Sequence, residues 1–121
     1  MIEYKVKVYG DRTEWYNLEG KLHREDGPAR EYANGGKSYF INDLRHREDG
    51  PAVEHADGYK CYLINNKLHR EDGPAIEDVD GYKSYYINGK NLTEQEFNNR
   101  NKTCDGKVVE IDGVKYKLTQ L

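Results

Sequence analysis

The chain repeats itself every 23 residues, and this period constrains the fold more than any other feature of the sequence. The run LHREDGPA stands at residues 22–29 and again at 68–75, and RHREDGPA stands between them at 45–52. The repeat extends over residues 13–92 with no insertion or deletion, so the sequence predicts similar structural units along most of the chain. The tyrosines that keep this period are Tyr16, Tyr39, Tyr62 and Tyr85.

Each repeat contains two strand-like runs separated by a turn dipeptide. Residues 51–56 and 59–64 are such runs, and Asp57-Gly58 lies between them. Asp-Gly and Asn-Gly favour two-residue hairpin turns in which both residues have positive φ, whereas a three-residue loop with a bulge would shift the register. The Asp-Gly-Pro triplet that ends each HREDGP run favours a further turn into the next strand. The other repeats carry Asn34-Gly35 and Asp80-Gly81 at the hairpin position.

The ends of the chain depart from the repeat, as terminal capping units do. Residues 1–12 contain an alternating run that predicts a strand, and Thr93 to Glu96 form a capping box that predicts a short helix over residues 93–100. Residues 101–121 predict a connector and a hairpin turning at Asp112-Gly113. We therefore predict one mainly β domain over residues 1–121, an elongated antiparallel sheet of successive 23-residue β-hairpin repeats with a short helix and a C-terminal β-hairpin.

The composition of the chain excludes several functional classes. Nineteen Lys and Arg residues stand against 22 Asp and Glu residues, so the basic stripe of a nucleic-acid-binding protein is missing. No apolar run approaches the length that crosses a membrane. Cys61 and Cys104 lack metal-binding or redox spacing, which predicts reduced thiols in a cytoplasmic protein. Eleven tyrosines supply buried ring surface in place of a thick aliphatic core.

The HREDGP run holds groups that are used in catalysis and metal binding, but its repetition favours a structural role. Catalysis by His23 and Asp26 would need one asymmetric constellation, and no nucleophile is repeated with them. Histidines of neighbouring hairpins would lie about 9–10 Å apart, too far to share an ion held at about 2 Å. We predict no catalytic residue, metal or cofactor. The predicted structural residues are His23, Asp26, Gly27, Pro28, His46, Asp49, Gly50, Pro51, His69, Asp72, Gly73 and Pro74.

Positions that vary between repeats are the better candidates for partner binding. The repeated tyrosines, together with Leu18, Ile41 and their later counterparts, predict a shared packing face on alternate strand positions. The positions between them change in type, and several are large and apolar, as at interaction surfaces. The alternative is a second packing face covered by the C-terminal helix and hairpin. The predicted partner-binding residues are Trp15, Phe40, Leu63 and Tyr86.

The repeat resembles the MORN (membrane occupation and recognition nexus) repeat, in the divergent HREDGPA form commonly seen in bacteriophage and prophage proteins. The resemblance covers about two-thirds of the chain. It implies an elongated antiparallel sheet of hairpins that is used as an interaction surface. The charged HRED letters depart from standard MORN units. The residues that carry the resemblance, with their counterparts in the other repeats, are Tyr39, Ile41, His46, Arg47, Asp49, Gly50, Pro51 and Ala52.

These features together favour a non-enzymatic protein-binding module. The small size and the phage-like repeats suggest a phage-encoded effector that inhibits a bacterial host protein or defence complex in the host cytoplasm, as anti-CRISPR proteins do, without binding nucleic acid or membrane. The alternatives are a MORN-like module on a phospholipid surface, which the balanced charge disfavours, a structural scaffold, and a small enzyme. Open sheet edges also leave room for a homodimer.

Overall fold

The computed structural model describes the backbone of residues 3–104, 107–111 and 114–118, and the side chains of residues 3–100. The chain divides into two compact units, residues 1–91 and residues 92–121. The secondary structure of the first unit consists of strands, and the second unit contains a β-hairpin besides its helix. The prediction of a mainly β protein is therefore confirmed. The prediction of a single domain over residues 1–121 stays a prediction.

Thirteen short strands follow one another over the described residues up to Leu92. Nine of them form one antiparallel sheet, and two further pairs form separate hairpins, β5 with β6 and β9 with β10. The order across the large sheet is β1-β2-β3-β4-β7-β8-β11-β12-β13. The strands are β1 (Lys5–Val8), β2 (Arg12–Tyr16), β3 (Arg30–Tyr32), β4 (Lys37–Ser38), β5 (Phe40–Ile41), β6 (Leu44–Arg45), β7 (Val53–Glu54), β8 (Lys60–Cys61), β9 (Leu63–Ile64), β10 (Lys67–Leu68), β11 (Ile76–Glu77), β12 (Lys83–Ile87) and β13 (Lys90–Leu92).

The hairpins at the Asn-Gly and Asp-Gly dipeptides close with three-residue loops, so the predicted two-residue turns are wrong there. Between β7 and β8, the His55 N–H donates to the Tyr59 carbonyl at 2.9 Å. Only Gly58 in this loop has a positive φ, of 104°, because the Asp57 carboxylate instead accepts the Tyr59 N–H at 3.0 Å and holds a local turn. Glycine takes this left-handed conformation without the cost of a Cβ atom. Gly35 and Gly81 repeat it.

Two-residue turns occur instead at three other hairpins of the first unit. Both turn residues have positive φ there, for example 49° and 68° at Asn42 and Asp43. Asn and Asp enter the left-handed region more readily than other side chains, which explains the residues found at these turns. These turns connect β5 to β6, β9 to β10, and β12 to β13. The later pairs are Asn65 with Asn66 and Asn88 with Gly89.

The apolar core of the first unit is small, and the alanine that follows each HREDGP run lies at its centre. Ala29, Ala52 and Ala75 are all 0% exposed. Phe40 and Cys61 are the other buried apolar side chains among the described residues of this unit. A core built on alanine leaves no space for a larger side chain at these positions.

Replacing Ala52 with leucine is therefore expected to destabilise the protein by about 1–3 kcal/mol, the usual range for overpacking a filled site. Denaturant unfolding measures the change. The matched control is Ala33→Leu, because Ala33 is exposed in a hairpin loop and should leave the unfolding midpoint unchanged. Equal stability of the two variants would contradict a filled core at Ala52.

The second unit consists of a helix and a hairpin. The helix α1 spans Glu94–Cys104, which extends the predicted segment because no glycine or proline interrupts residues 94–104. Its capping box is confirmed: the Glu96 N–H donates to Thr93 Oγ1 at 3.0 Å, and the Thr93 N–H donates to Glu96 Oε1 at 2.9 Å. The C-terminal hairpin is also present, and its turn residues 112–113 lie outside the described residues. Its strands are β14 (Lys107–Ile111) and β15 (Val114–Leu118).

No helix in the described part of the chain is both long and apolar enough to cross a membrane.

Candidate binding surface on the HREDGP loops

Each HREDGP loop places its arginine over an aromatic ring of the preceding hairpin. The guanidinium carbon lies about 4 Å from the ring centroid in all three loops. Cation–π contacts of this kind stabilise by about 0.5–2 kcal/mol each. The arginine therefore contributes to packing as well as carrying charge. The pairs are Arg24 over Trp15 at 4.1 Å, Arg47 over Tyr39 at 4.0 Å and Arg70 over Tyr62 at 3.9 Å.

Hydrogen bonds within the loop and to the strand after it hold the same guanidinium group in place. Arg47 Nε donates to Asp49 Oδ1 at 3.1 Å, and Arg47 Nη1 donates to the Pro51 carbonyl at 3.1 Å and to Glu54 Oε1 at 3.0 Å. Arg24 and Arg70 make the same three contacts. The planar fork of arginine suits such a set, and lysine would not reproduce it.

The glycine of each loop leaves room for the arginine, which passes directly over it. A Cβ atom on Gly50 would lie 2.8 Å from the guanidinium carbon of Arg47, and the equivalent distances at Gly27 and Gly73 are 3.0 Å. None of these three glycines has a positive φ. The sequence predicted a turn from Asp-Gly-Pro, but the close approach of the guanidinium is the stronger reason for glycine.

The histidine of each loop binds the two-residue turn of the following hairpin. The ring Nδ1 accepts a backbone N–H bond, at 3.1 Å for His23, 3.0 Å for His46 and 2.9 Å for His69. A ring nitrogen that accepts a bond carries no proton, so the ring proton lies on Nε2. In the first loop this nitrogen is 3.2 Å from the Glu25 carboxylate. The N–H donors belong to Asn42, Asn65 and Asn88.

Backbone hydrogen bonds join each loop to the next repeat as well. The Arg24 N–H donates to the Phe40 carbonyl at 3.2 Å, and the Arg47 N–H donates to the Leu63 carbonyl at 3.1 Å. The Arg70 N–H makes the third such bond. The three HREDGP segments are therefore fixed to successive hairpins. We call them the loop row, and they comprise residues 23–28, 46–51 and 69–74.

Carboxylates dominate the solvent-facing side of the loop row. Arg47 is only 24% exposed, whereas Glu48 and Asp49 are 85% and 89% exposed. The strand after each loop adds one more carboxylate, from Glu31, Glu54 or Glu77. One arginine therefore stands against three carboxylates at each loop, and the loop carries a net negative charge. The six outward carboxylates are Glu25, Asp26, Glu48, Asp49, Glu71 and Asp72.

Two similar clefts lie between consecutive loops of the row. One has a volume of about 580 Å³, and its lining includes Tyr39 and Ile41. The other has a volume of about 610 Å³, and its lining includes Tyr62 and Ile64. Each cleft combines the acidic side chains of two loops with an aromatic and an aliphatic surface. Such a combination suits a partner side chain with a cationic end and an apolar stem.

The first repeat contains one residue more than the 23-residue period predicted. The Trp15 N–H donates to the Ala29 carbonyl, as the Tyr39 N–H does to the Ala52 carbonyl, both at 2.7 Å. Trp15, and not Tyr16, is therefore the structural equivalent of the later tyrosines. The extra residue lies in a longer hairpin turn, which is why Leu18, predicted on the packing face, is 61% exposed.

The structure does not bring the four predicted partner-binding residues together on one face. Trp15 lies under Arg24 with the loop row. Phe40 is buried, at 5% exposure, and Leu63 and Tyr86 are half-buried. A partner-binding role for these four residues stays a prediction.

Sequence reasoning missed a buried ionic network in the first repeat. The Glu14 side chain is 3% exposed, and its Oε2 accepts Arg12 Nε at 3.0 Å and Arg30 Nε at 2.7 Å. Its Oε1 accepts the Tyr16 hydroxyl. The signal for it depended on an alignment corrected by one residue, which the structure supplies. That alignment sets Glu14 against Ser38 and the later small residues, and it sets Arg30 against valine and isoleucine.

This network shifts the pKa values of Glu14 and Tyr16. Burial alone would raise the pKa of Glu14, but hydrogen bonds from Tyr16, Arg12 and Arg30 outweigh burial and lower it below its ordinary 4.5. The hydrogen bond to Glu14 raises the pKa of Tyr16 to about 12. Both shifts favour the ionised carboxylate beside the neutral phenol.

No group of three His, Cys, Asp or Glu side chains among the described residues is placed to hold a metal ion. No protein-family model, curated protein or solved structure matches the chain. The fold and the loops therefore define only a class: a mainly β protein with an array of arginine-stacked, acidic loops.

Proposed function

We propose that this protein is a non-enzymatic binding module that recognises a protein partner through the loop row. The observation that carries the proposal is the contrast within each loop. The arginine is held by a ring and three hydrogen bonds, while the two neighbouring carboxylates face water. A surface whose backbone is already fixed loses little conformational entropy on binding.

The chemistry of the loop row favours a partner with a basic surface. Six outward carboxylates, in three loops spaced 23 residues apart in the sequence, attract Lys and Arg side chains and accelerate encounter with them. The clefts between loops add apolar contact to this attraction. The partner would therefore carry at least two basic side chains spaced to match consecutive loops.

The histidines and arginines of the loop row, which could act in catalysis, are engaged in structural hydrogen bonds. This supports a binding role over an enzymatic one. The histidine Nδ1 atoms accept backbone bonds, and the arginines are engaged by Asp, Glu and a carbonyl. The same arrangement occurs in three loops, whereas catalysis needs one site with its own tuned environment.

The finer proposal follows the resemblance to MORN-like phage repeats. In it, residues 13–92 form successive β-hairpin repeats, and the protein is a phage-encoded effector that binds and inhibits a bacterial host protein or defence complex in the cytoplasm. The second candidate, binding to a phospholipid surface, is disfavoured because the acidic loop row would be repelled by anionic lipids.

Affinity capture from bacterial lysate tests the proposal. The test variant Glu25→Gln/Glu48→Gln/Glu71→Gln removes three outward charges and leaves the Arg–Asp pairs intact. The control variant Glu3→Gln/Glu19→Gln/Glu94→Gln removes the same charge from exposed positions outside the loop row. We expect wild type and control to capture the same partner, and the test variant to bind it at least about tenfold more weakly.

Two checks make that result interpretable. All three proteins should have the same unfolding midpoint, which separates lost binding from lost folding. Equal capture by wild type and test variant would reject the loop row as the binding surface.

Light scattering of the wild type decides whether the free edge of β1, where Val8 is 78% exposed, forms a homodimer.

A further inference from the structure

A third cleft of the first unit, of about 470 Å³, shares no lining residue with the two clefts of the loop row. Arg45 and His55 line it, together with the hydroxyl-bearing side chains Tyr32 and Ser38. All four can donate hydrogen bonds. This concentration of donors in one cleft is what distinguishes it from the two acidic clefts.

Arg45 carries an uncompensated positive charge. Every other arginine of the first unit has a carboxylate oxygen within 3.1 Å, whereas no carboxylate among the described residues pairs with Arg45. Its guanidinium carbon lies 5.2 Å from the centroid of the Phe40 ring. The planar fork of this exposed side chain is therefore available to a ligand.

The cleft lining contains one carboxylate, which forms no ion pair with this cation. The one carboxylate in the lining belongs to Asp57, and its Oδ1 already accepts the Tyr59 N–H at 3.0 Å. His55 adds a ring that lies 5.0 Å, centroid to centroid, from that of Tyr59. A ligand that accepts hydrogen bonds and carries negative charge fits these groups better than a cation does.

The repeat itself does not require these residues. Twenty-three positions further along the chain, Leu68 stands in place of Arg45 and Asp78 in place of His55. The next repeat therefore lacks the cation and gains a carboxylate. The fold forms with either set of residues. Arg45 and His55 are therefore not needed to build this part of the repeat.

We propose that this cleft binds a single oxyanion, a carboxylate or phosphate group, with Arg45 as its main ligand. Arg45 would bind two oxygens of the anion through its fork, and His55, Tyr32 and Ser38 would supply further donors. The site does not depend on the loop row, so it can be tested separately from the proposed function.

An NMR titration with inorganic phosphate, and separately with acetate, tests the site. Sodium chloride at matched ionic strength controls for general screening. We expect saturable shifts of the Arg45 side-chain NεH and the His55 ring signals in the wild type. The variant Arg45→Gln should bind at least about tenfold more weakly. The control Lys60→Gln, which removes one positive charge from an exposed position on β8, should bind as the wild type does.

The titration also separates the two ligand chemistries. Tighter binding of phosphate would assign the site to a phosphate group, and tighter binding of acetate would assign it to a carboxylate. The proposal is overturned if neither anion gives saturable shifts, if chloride gives the same shifts, or if Arg45→Gln binds like the wild type. Unchanged unfolding midpoints of both variants would show that the fold is intact.

Discussion

Replacing Arg47 with alanine is expected to lower the free energy of unfolding by about 2–4 kcal/mol, the largest effect of any change in the loop row. The substitution removes the contact with the Tyr39 ring and leaves Glu54 without its ion-pair partner. Arg47→Lys should recover less than half of the loss, because lysine keeps the charge but lacks the planar fork. Urea unfolding of the three proteins measures these differences.

A double-mutant cycle with Gly50 shows whether the stacked guanidinium is the cause. Gly50→Ala alone should destabilise the protein, because its Cβ would lie 2.8 Å from the guanidinium carbon of Arg47. In the Arg47→Ala background the same change should cost little, so the two effects should not add. Gly10→Ala is the control, since a Cβ there meets no atom within 4 Å. Additive losses at Gly50 and Arg47 would contradict the stacked arrangement.

Replacing Glu14 with alanine is expected to destabilise the protein by about 3 kcal/mol, at the lower end of the range for breaking a buried ion pair. The carboxylate is 3% exposed, but its partner Arg30 is 24% exposed, and water compensates part of the loss at the guanidinium. Glu31→Ala is the comparison, because the Glu31 side chain is 42% exposed and pairs with Arg24. Its loss should be smaller, and a larger one would contradict the special role of Glu14.

The pH dependence of stability provides a second test of the same network. Because the folded pKa of Glu14 is below 4.5, its contribution is complete above pH 4.5 and is lost as pH falls through the folded value. Tyr16 behaves in the opposite sense: its contribution is complete below pH 10 and is lost as pH rises through about 12. The stability difference between wild type and Glu14→Gln should therefore shrink at both extremes. A difference that is independent of pH would contradict these shifts.

The sequence predicted the elements that local patterns specify. The capping box identified the start of α1, and alternating residues around Asp112-Gly113 identified the C-terminal hairpin. The loop geometry was not predictable in the same way, because Asp-Gly suits both two-residue and three-residue connections. Backbone bonds such as that from His55 to Tyr59 decide between them, and they depend on the whole hairpin.

The candidate site was located by its repetition, but the role of its residues was not. Arg24 contacts a ring nine positions earlier in the chain, and nothing in the HREDGP letters indicates this. The adjacent aromatic residues Trp15 and Tyr16 also concealed the extra residue of the first repeat, because Tyr16 preserves the period by letter while Trp15 preserves it by contact. Only the three-dimensional contacts separate the two alignments.

The bonds from each histidine to the following turn limit how the length of this protein can change. His46 binds the Asn65 N–H, and the same 19-residue separation joins His23 to Asn42 and His69 to Asn88. Deleting residues 46–68 would remove one complete set of partners and rejoin the remaining ones. Deleting 12 residues from within that segment would leave the His46 acceptor or the Asn65 donor without its hydrogen-bond partner. We therefore expect the first shortened chain to unfold cooperatively and the second to show no transition. In evolution, the spans between a histidine and its turn would change by whole repeats only, and the extra residue of the first repeat lies before His23, outside any such span.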